Sequence, residues 1–514
     1  YSLTTVPAAP SSGSPLCFRF NPLGADMPLF NNAVSQGTRI SAAALPVNVS
    51  NRLSRRVLCR DIQSGAGASY YGEGKSLSLS VGGTLLDPFE IRVCDLSGEE
   101  GGWANMPDAN GPYLAAIDPE LGRIALRASS GGASPPPAVS ATFHHGFNAD
   151  MGGGEYPRTG TFSAGSEQKV VQVPGDFATL QPALDSLSGD GVVEITDSDT
   201  HAAPSGLAVA VGANGHIELR AADGCRPTLM LGDAVTVSGG AEGSFDMNGL
   251  CVAFAPGSAA APLPVALLHA PEGPGNGLAH LGLTHCTLVP GWALDSQGDP
   301  QFGGLPGLVA GASGLAVVVQ KSILGAVWSA PLATVSLSDS ILDATDRTGM
   351  AYAALDGSGS GGALTLTGCT VVGKVRSTLL SLVSNSIIWA ALSEADLWTS
   401  PPSQRPFPLW SDRKQEGCVR FSFLPETTAI PRQFECVMQG PGLPAPLFVS
   451  LRYGDPGYGK LYASTVDDVR RGADDGGEMG AFHFVLAPLR ETDLRTRMQE
   501  YIPVGLEYGI FYET

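Results

Sequence analysis

Five segments between Val170 and Leu392 repeat one pattern, and that repeat limits the folds open to this chain. They are His280-Leu-Gly-Leu-Thr-His-Cys286-Thr-Leu-Val, Leu315-Ala-Val-Val-Val-Gln-Lys-Ser322-Ile-Leu, Val335-Ser-Leu-Ser-Asp-Ser340-Ile-Leu, Leu364-Thr-Leu-Thr-Gly-Cys369-Thr-Val-Val and Leu382-Val-Ser-Asn-Ser386-Ile-Ile. Alternating apolar residues run into a polar dipeptide, then a Cys or Ser, then a second short apolar run. The alternation buries one face of each strand, and the dipeptide turns a corner. The small Cys or Ser is expected to point inward, where a larger side chain would crowd the bend.

Successive small residues are 18 apart from Ser322 to Ser340, 17 from Cys369 to Ser386, 29 from Ser340 to Cys369 and 36 from Cys286 to Ser322. The Gly-rich insertion Asp356–Gly362 accounts for part of the longer spacing. A unit of short period with variable insertions cannot bury its apolar face alone, so it stacks on copies of itself. The expected class is all-β: a right-handed parallel β-helix over 166–400, with Cys286, Ser322, Ser340, Cys369 and Ser386 in one inward column. A β-sandwich is the competing architecture, but it would not keep the small residue in register.

The flanks read differently. Residues 1–37 are expected to be an extended docking arm, on the Pro-, Ser- and Ala-rich start at 1–16. Residues 38–165 are expected to form a small β-sandwich or barrel. Within it, Ile117–Ile124 reads as a hairpin opened by Asp118-Pro119 and turned at Gly122. Phe177, Leu180, Ala183, Leu184 and Leu187 fall on one helical face, suited to capping the first coil. The prolines at 401, 402, 406 and 408 are expected to end the solenoid, with a C-terminal α+β docking module over 401–514. That module includes a helix with Leu494, Met498 and Tyr501 on one face. The apolar Ile510-Phe-Tyr512 is expected to be docked, so deleting 504–514 should cause aggregation or failed assembly.

Formal charge is −19, which argues against a nucleic-acid backbone as partner, and no apolar run reaches the length of a membrane span. Nine cysteines without a Cys-x-x-Cys pair point to a reduced, cytoplasmic-type setting rather than a disulfide scaffold or zinc site. Cys418 and Cys436 remain candidates for pairing. The chain starts at Tyr1 rather than Met, which leaves room for a leader or a further N-terminal piece.

Candidate chemistry is sparse. His144, His145, Asp150 and Glu155 lie close together among glycines, and Asp150 and Glu155 are the candidate metal ligands. Adjacent histidines on a strand face opposite ways, however, so an irregular connector is the simpler reading. Asp339, Asp343, Asp346 and Lys321 are the candidate catalytic set for a lyase or glycosidase. Acids on solvated turns are also how a solenoid stays soluble, and the smooth coils are expected to lack an aromatic platform for sugars. No cofactor is expected.

Residues 170–395 resemble pectate-lyase-like β-helix proteins, which include lyases and glycosidases. The Asn-Thr-Asp, Asp-Asp, Gly-His-Gly and Arg-Ile-Lys motifs of the polygalacturonase branch are absent from this stretch. Phe20–Gly24, Ala116–Ile124, Asn148–Glu155 and Gly472–Phe482 resemble β-helix proteins of phage-tail-like contractile injection systems. That resemblance implies a structural baseplate or tail-associated subunit, with other subunits as partners, in a cytoplasmic assembly that can be released as a particle. It carries over no catalytic residue. The alternative is a carbohydrate-active enzyme or a glycan-binding spike.

Overall fold

The computed structural model describes residues 2–11, 14–35, 45–99, 102–128, 138–163, 168–255, 263–399, 406–440 and 445–510. The N-terminal part holds two five-stranded sheets. In one, Val139–His145 pairs antiparallel with Ser2–Pro7, Leu29–Phe30 and Leu77–Val81. In the other, Ser14–Arg19 pairs with Arg123–Leu126, which forms the expected hairpin with Ala115–Asp118. Gly122 turns that hairpin at φ 66°. Phe20, Leu29, Leu58, Leu77, Leu79, Ile117, Ile124 and Phe143 are fully buried in one core. The start of the chain is therefore not an extended arm. Composition suggested a linker, but Leu16-Cys-Phe-Arg-Phe20 alternates and completes a sheet.

From Gly191 the chain winds into coils of three strands. The strands stack in parallel on the equivalent strands of the next coil, in a ten-stranded sheet and a nineteen-stranded sheet that folds over two faces. This is the arrangement of a parallel β-helix. On the first face Val193, Leu219, Met247, Leu283, Val319, Leu337, Leu366, Val383 and Val419 are in register, one per coil. All nine are at most 1% exposed. Burying each such side chain stabilises the fold by about 1.5–3 kcal/mol, which is why the alternating pattern dominates the sequence.

The corner between the first face and the second, the ten-stranded sheet, is built the same way in eight coils. Gly249, His285, Lys321, Asp339, Gly368, Asn385, Phe421 and Glu435 all have positive φ, between 45° and 78°. A left-handed residue costs a non-glycine side chain on the order of 1 kcal/mol, and it turns the strand sharply. Hydrogen bonds between coils offset that strain. The His285 N–H donates to Gln320 O, Lys321 N–H to Ser338 O and Asp339 N–H to Thr367 O, each at 3.0 Å.

The next residue in each coil forms the inward column. Cys286, Ser322, Ser340, Cys369, Ser386 and Ser422 are all fully buried. The Cys286 N–H donates to Ser322 Oγ (3.0 Å), Ser322 N–H to Ser340 Oγ (3.1 Å), Cys369 N–H to Ser386 Oγ (3.0 Å) and Ser386 N–H to Ser422 Oγ (3.1 Å). Each of these hydroxyls donates in turn to the carbonyl two residues earlier. Crowding alone does not choose the residue, because Leu250 fills the same place one coil before Cys286. The hydroxyl matters because it satisfies a buried N–H.

The helix Leu180–Ser186 caps the first coils with Leu180, Ala183 and Leu184. At the other end the solenoid passes the prolines and continues through Leu409–Ser411, Cys418–Arg420 and Phe423–Leu424 to Val437–Met438. These last strands have two or three residues each, too short to announce themselves as periodic. Cys418 and Cys436 form no disulfide with each other.

Residues 445–485 then run back along the outside of the second face. Ile323 and Ile341 meet Tyr458 and Phe482, and Ile387 and Phe423 meet Leu461, Val469 and Met479. The N-terminal unit reaches the same surface, where Leu23 and Ala25 cover Cys251 and Ala253. The described part of this C-terminal region contains isolated bridges and helices but no paired strands of an α+β module. Its final helix, Ala487–Tyr501, buries only Pro488, and Val504 and Leu506 are 106% and 65% exposed. The expected docking of the apolar end does not extend to these residues; Phe511 and Tyr512 lie outside the described part. Among the described residues no helix is long and apolar enough to cross a membrane.

Candidate functional site

Two of the candidate residues, Lys321 and Asp339, lie in the corner row, and two glycine-rich segments of related sequence lie across it. In the first, the Gly152 N–H donates to Lys321 O (2.7 Å) and the Gly153 N–H to Thr287 Oγ1 (3.1 Å). In the second, the Gly480 N–H donates to Asn385 O (2.8 Å) and the Ala481 N–H to Thr370 Oγ1 (2.9 Å). Thr287 pairs with Ile323, and Thr370 with Ile387, at the same register. Both segments read Met-Gly-small, Met151–Gly153 and Met479–Ala481. The same clip is therefore used twice. A Cβ on Gly152 or Gly480 would press into the threonine hydroxyl and the isoleucine beneath it, so both positions require glycine.

The side chains of the row are engaged by these segments. His285 Nδ1 meets the Tyr156 hydroxyl at 3.0 Å, and burial holds its pKa down to about 4. Lys321 Nζ sits 4.7 Å from the centre of the Phe484 ring. Asn385 donates to Asp474 Oδ1 (2.7 Å) and accepts from the Asp474 N–H (3.1 Å). Asp339 is half-buried, and burial raises its carboxyl against the opposing pull of Lys321 and His483.

The other two candidate acids lie elsewhere. Asp343 is 3% exposed, not on a solvated corner, because residues 445–485 cover it. Its Oδ2 accepts from the Tyr458 hydroxyl (2.6 Å) and its Oδ1 from the Thr345 N–H (2.7 Å). Burial pushes it up to about 6. Asp346 is exposed and held low by hydrogen bonds from Thr348. Lys321 and Asp339 are thus neighbours in the row, while Asp343 and Asp346 occupy two unlike environments.

The candidate metal ligands do not share an environment either. Asp150 is exposed, while both carboxylate oxygens of Glu155 are buried and reach no hydrogen-bond partner on another residue. Burial pushes Glu155 up to about 7, opposed chiefly by Arg226. His144 and His145 do face opposite ways: His144 meets Ser76 O, whereas His145 is buried between the rings of Phe143 and Phe147. A group the sequence reading did not assemble is Asp474, Asp475 and His483, whose ligand atoms lie within 4.8 Å of one another. Cys251, Tyr453 and Glu155 also converge around Arg226. No local motif links such distant positions, so only the docking of residues 445–485 brings them together.

The third face, the other half of the nineteen-stranded sheet, carries aromatics that the smooth coils did not suggest. Trp328 and Trp410 both project from it. Trp328 lies beneath Gly357, and the Trp410 ring is flanked by Arg376, Lys414 and Phe407.

No protein-family model matches the chain, and no curated protein matches it. Among solved structures, the catalytic domain of a GH87 α-1,3-glucanase in complex with nigerose aligns at 9% identity over 86% of this chain and 79% of that one, with a TM-score of 0.16. A likeness that loose carries no argument about activity.

Proposed function

We propose that this chain is a structural, non-enzymatic subunit of a larger assembly. In this reading the β-helix is right-handed, the N-terminal sheets form a small sandwich and the C-terminal region is a docking module. The particular assembly we favour is a phage-tail-like contractile injection particle, with the chain at its baseplate or tail, made in the cytoplasm and released with the particle. The observation that carries the proposal is the use of the corner row: His285, Lys321 and Asn385 contact the segments that attach the flanks. An enzyme of this architecture instead leaves converging acids and bases open to a substrate. The exposed helix Ala487–Tyr501 and the exposed Val504 and Leu506 supply surface for a neighbouring subunit.

The second reading, a glycan-binding or glycan-cleaving surface, is favoured by Trp328 and Trp410 on one face. Two measurements separate these readings. Negative-stain microscopy of native source material should find the chain in a defined large particle. The purified protein should release no reducing ends or unsaturated products from polygalacturonate, alginate, peptidoglycan or capsule, with or without Ca²⁺. A free monomer whose turnover disappears in Asp339→Asn would overturn the structural reading.

A further inference from the structure

The N-terminal unit, the second face and residues 445–485 meet around a cavity of about 50 Å³. Its walls are mostly apolar, including Leu23, Met27, Met151, Ile323 and Phe482, and Arg226 is the cationic side chain among them. Arg226 is 8% exposed. Its Nε donates to Gly153 O (2.9 Å), and the Tyr453 hydroxyl and the Cys251 thiol lie beside it. The neighbouring carboxylate, Glu155, accepts no hydrogen bond from it, and burial favours the neutral form of Glu155. Asp455 also lines the cavity, but it is exposed and turned to Ser450 Oγ (2.6 Å). Arg226 is thus a buried cation at the wall of an apolar cavity, with no hydrogen-bonded carboxylate among the described residues.

We infer that this junction cavity binds a small organic monocarboxylate, its carboxylate on Arg226 and its alkyl part against Met27, Met151 and Ile323. Three physical points lead there. A buried guanidinium is stabilised most by a hydrogen-bonded anion, and a carboxylate matches its fork. The apolar walls favour an anion that carries carbon over an inorganic one. The volume holds the centres of about three to five water-sized groups, which limits the ligand to the size of acetate or propionate. A ligand so small binds with a Kd on the order of a millimolar. Its site joins three parts of the chain, so occupancy also fastens the flanks to the solenoid.

The test uses the full chain and saturation-transfer NMR on the C–H signals of sodium propionate and propionamide, with inorganic phosphate added as a competitor of propionate, at constant ionic strength. Propionate should bind, with propionamide and phosphate at least about tenfold weaker. Met27→Trp, which fills the cavity and leaves Arg226 in place, should abolish binding, and Arg226→Met should do the same. If Arg226→Met does not fold, the Met27→Trp result and the propionamide comparison decide the matter. Equal binding of propionate and propionamide, preference for phosphate, binding undiminished in Met27→Trp, or no propionate binding at 50-fold above the expected Kd would each overturn the site.

Discussion

Gly152 and Gly480 make the same contact three coils apart. Each gives its N–H to the carbonyl of a left-handed corner residue, Lys321 or Asn385, and each is followed by an N–H that finds a threonine hydroxyl one coil back. The solenoid thus offers a repeating acceptor pair along its corner. The connector from the N-terminal unit takes one copy, and the C-terminal region takes another.

The clip predicts where the C-terminal region can be detached. In Gly480→Ala the new Cβ would lie 2.7 Å from Thr370 Oγ1 and 2.9 Å from Ile387 Cδ1, at a φ of +101°. The combined strain should cost about 1–3 kcal/mol. Amide exchange over 472–482 should accelerate accordingly, while the strand Gly361–Thr367 keeps its protection. Unchanged exchange at Ala481 would show that the clip does not hold the segment.

The inward column makes a second prediction. Ser340 Oγ accepts from the buried Ser322 N–H and donates to Ser338 O. Ser340→Ala leaves that N–H unsatisfied and should destabilise the chain by about 1–3 kcal/mol. Ser340→Cys should be milder, because Cys286 and Cys369 occupy the same position naturally and their thiols bond the carbonyl two residues back. Urea melts of the two variants check the order, and equal losses would reduce the column to packing alone.

The column and the coils were legible because they repeat: alternation at Val317-Val-Val319 and the small residue at Ser322 recur often enough to be seen. What was not legible has a common cause. Asp343 reads as a turn acid until Tyr458, 115 residues later, covers it. Arg226 carries no local signal and becomes notable only when the flanks close over it. The first strands were hidden by proline and serine, and the last coils by their shortness. Local patterns report the period of a fold, and long-range docking reports which polar groups lose their water.

The burial of Asp343 makes a pH-dependent prediction. Its folded pKa of about 6 lies above the value of about 3.9 expected for an unfolded chain. Between those values the folded state binds more protons. The stability it contributes is therefore fully present below about pH 4 and is lost as pH rises through about 6. Asp343→Asn removes this dependence. The stability of the variant relative to the parent should improve by roughly 2–3 kcal/mol between pH 3.5 and pH 8. Chemical denaturation across that range measures it, and a flat difference would mean that water reaches Asp343.

The final helix allows the assembly reading to be separated from folding. Of Ala487–Tyr501 only Pro488 is buried, while Leu494, Tyr501, Val504 and Leu506 are 47%, 82%, 106% and 65% exposed. A cut after Asp493 keeps Glu491, whose contact with Arg470 (3.3 Å) ties the helix to the body. It removes the exposed apolar side chains and almost no buried surface. Since an exposed apolar side chain adds little to folding, the truncated monomer should melt within about 0.5 kcal/mol of the full chain. A neighbouring subunit that covers those side chains should lose much of its grip, as buried apolar anchors carry most of an interface's energy. Co-purification from the native source, read beside a thermal melt, tests both halves. A truncation that melts early would place the helix in the fold. One that melts normally and still enters the particle would remove it from the interface.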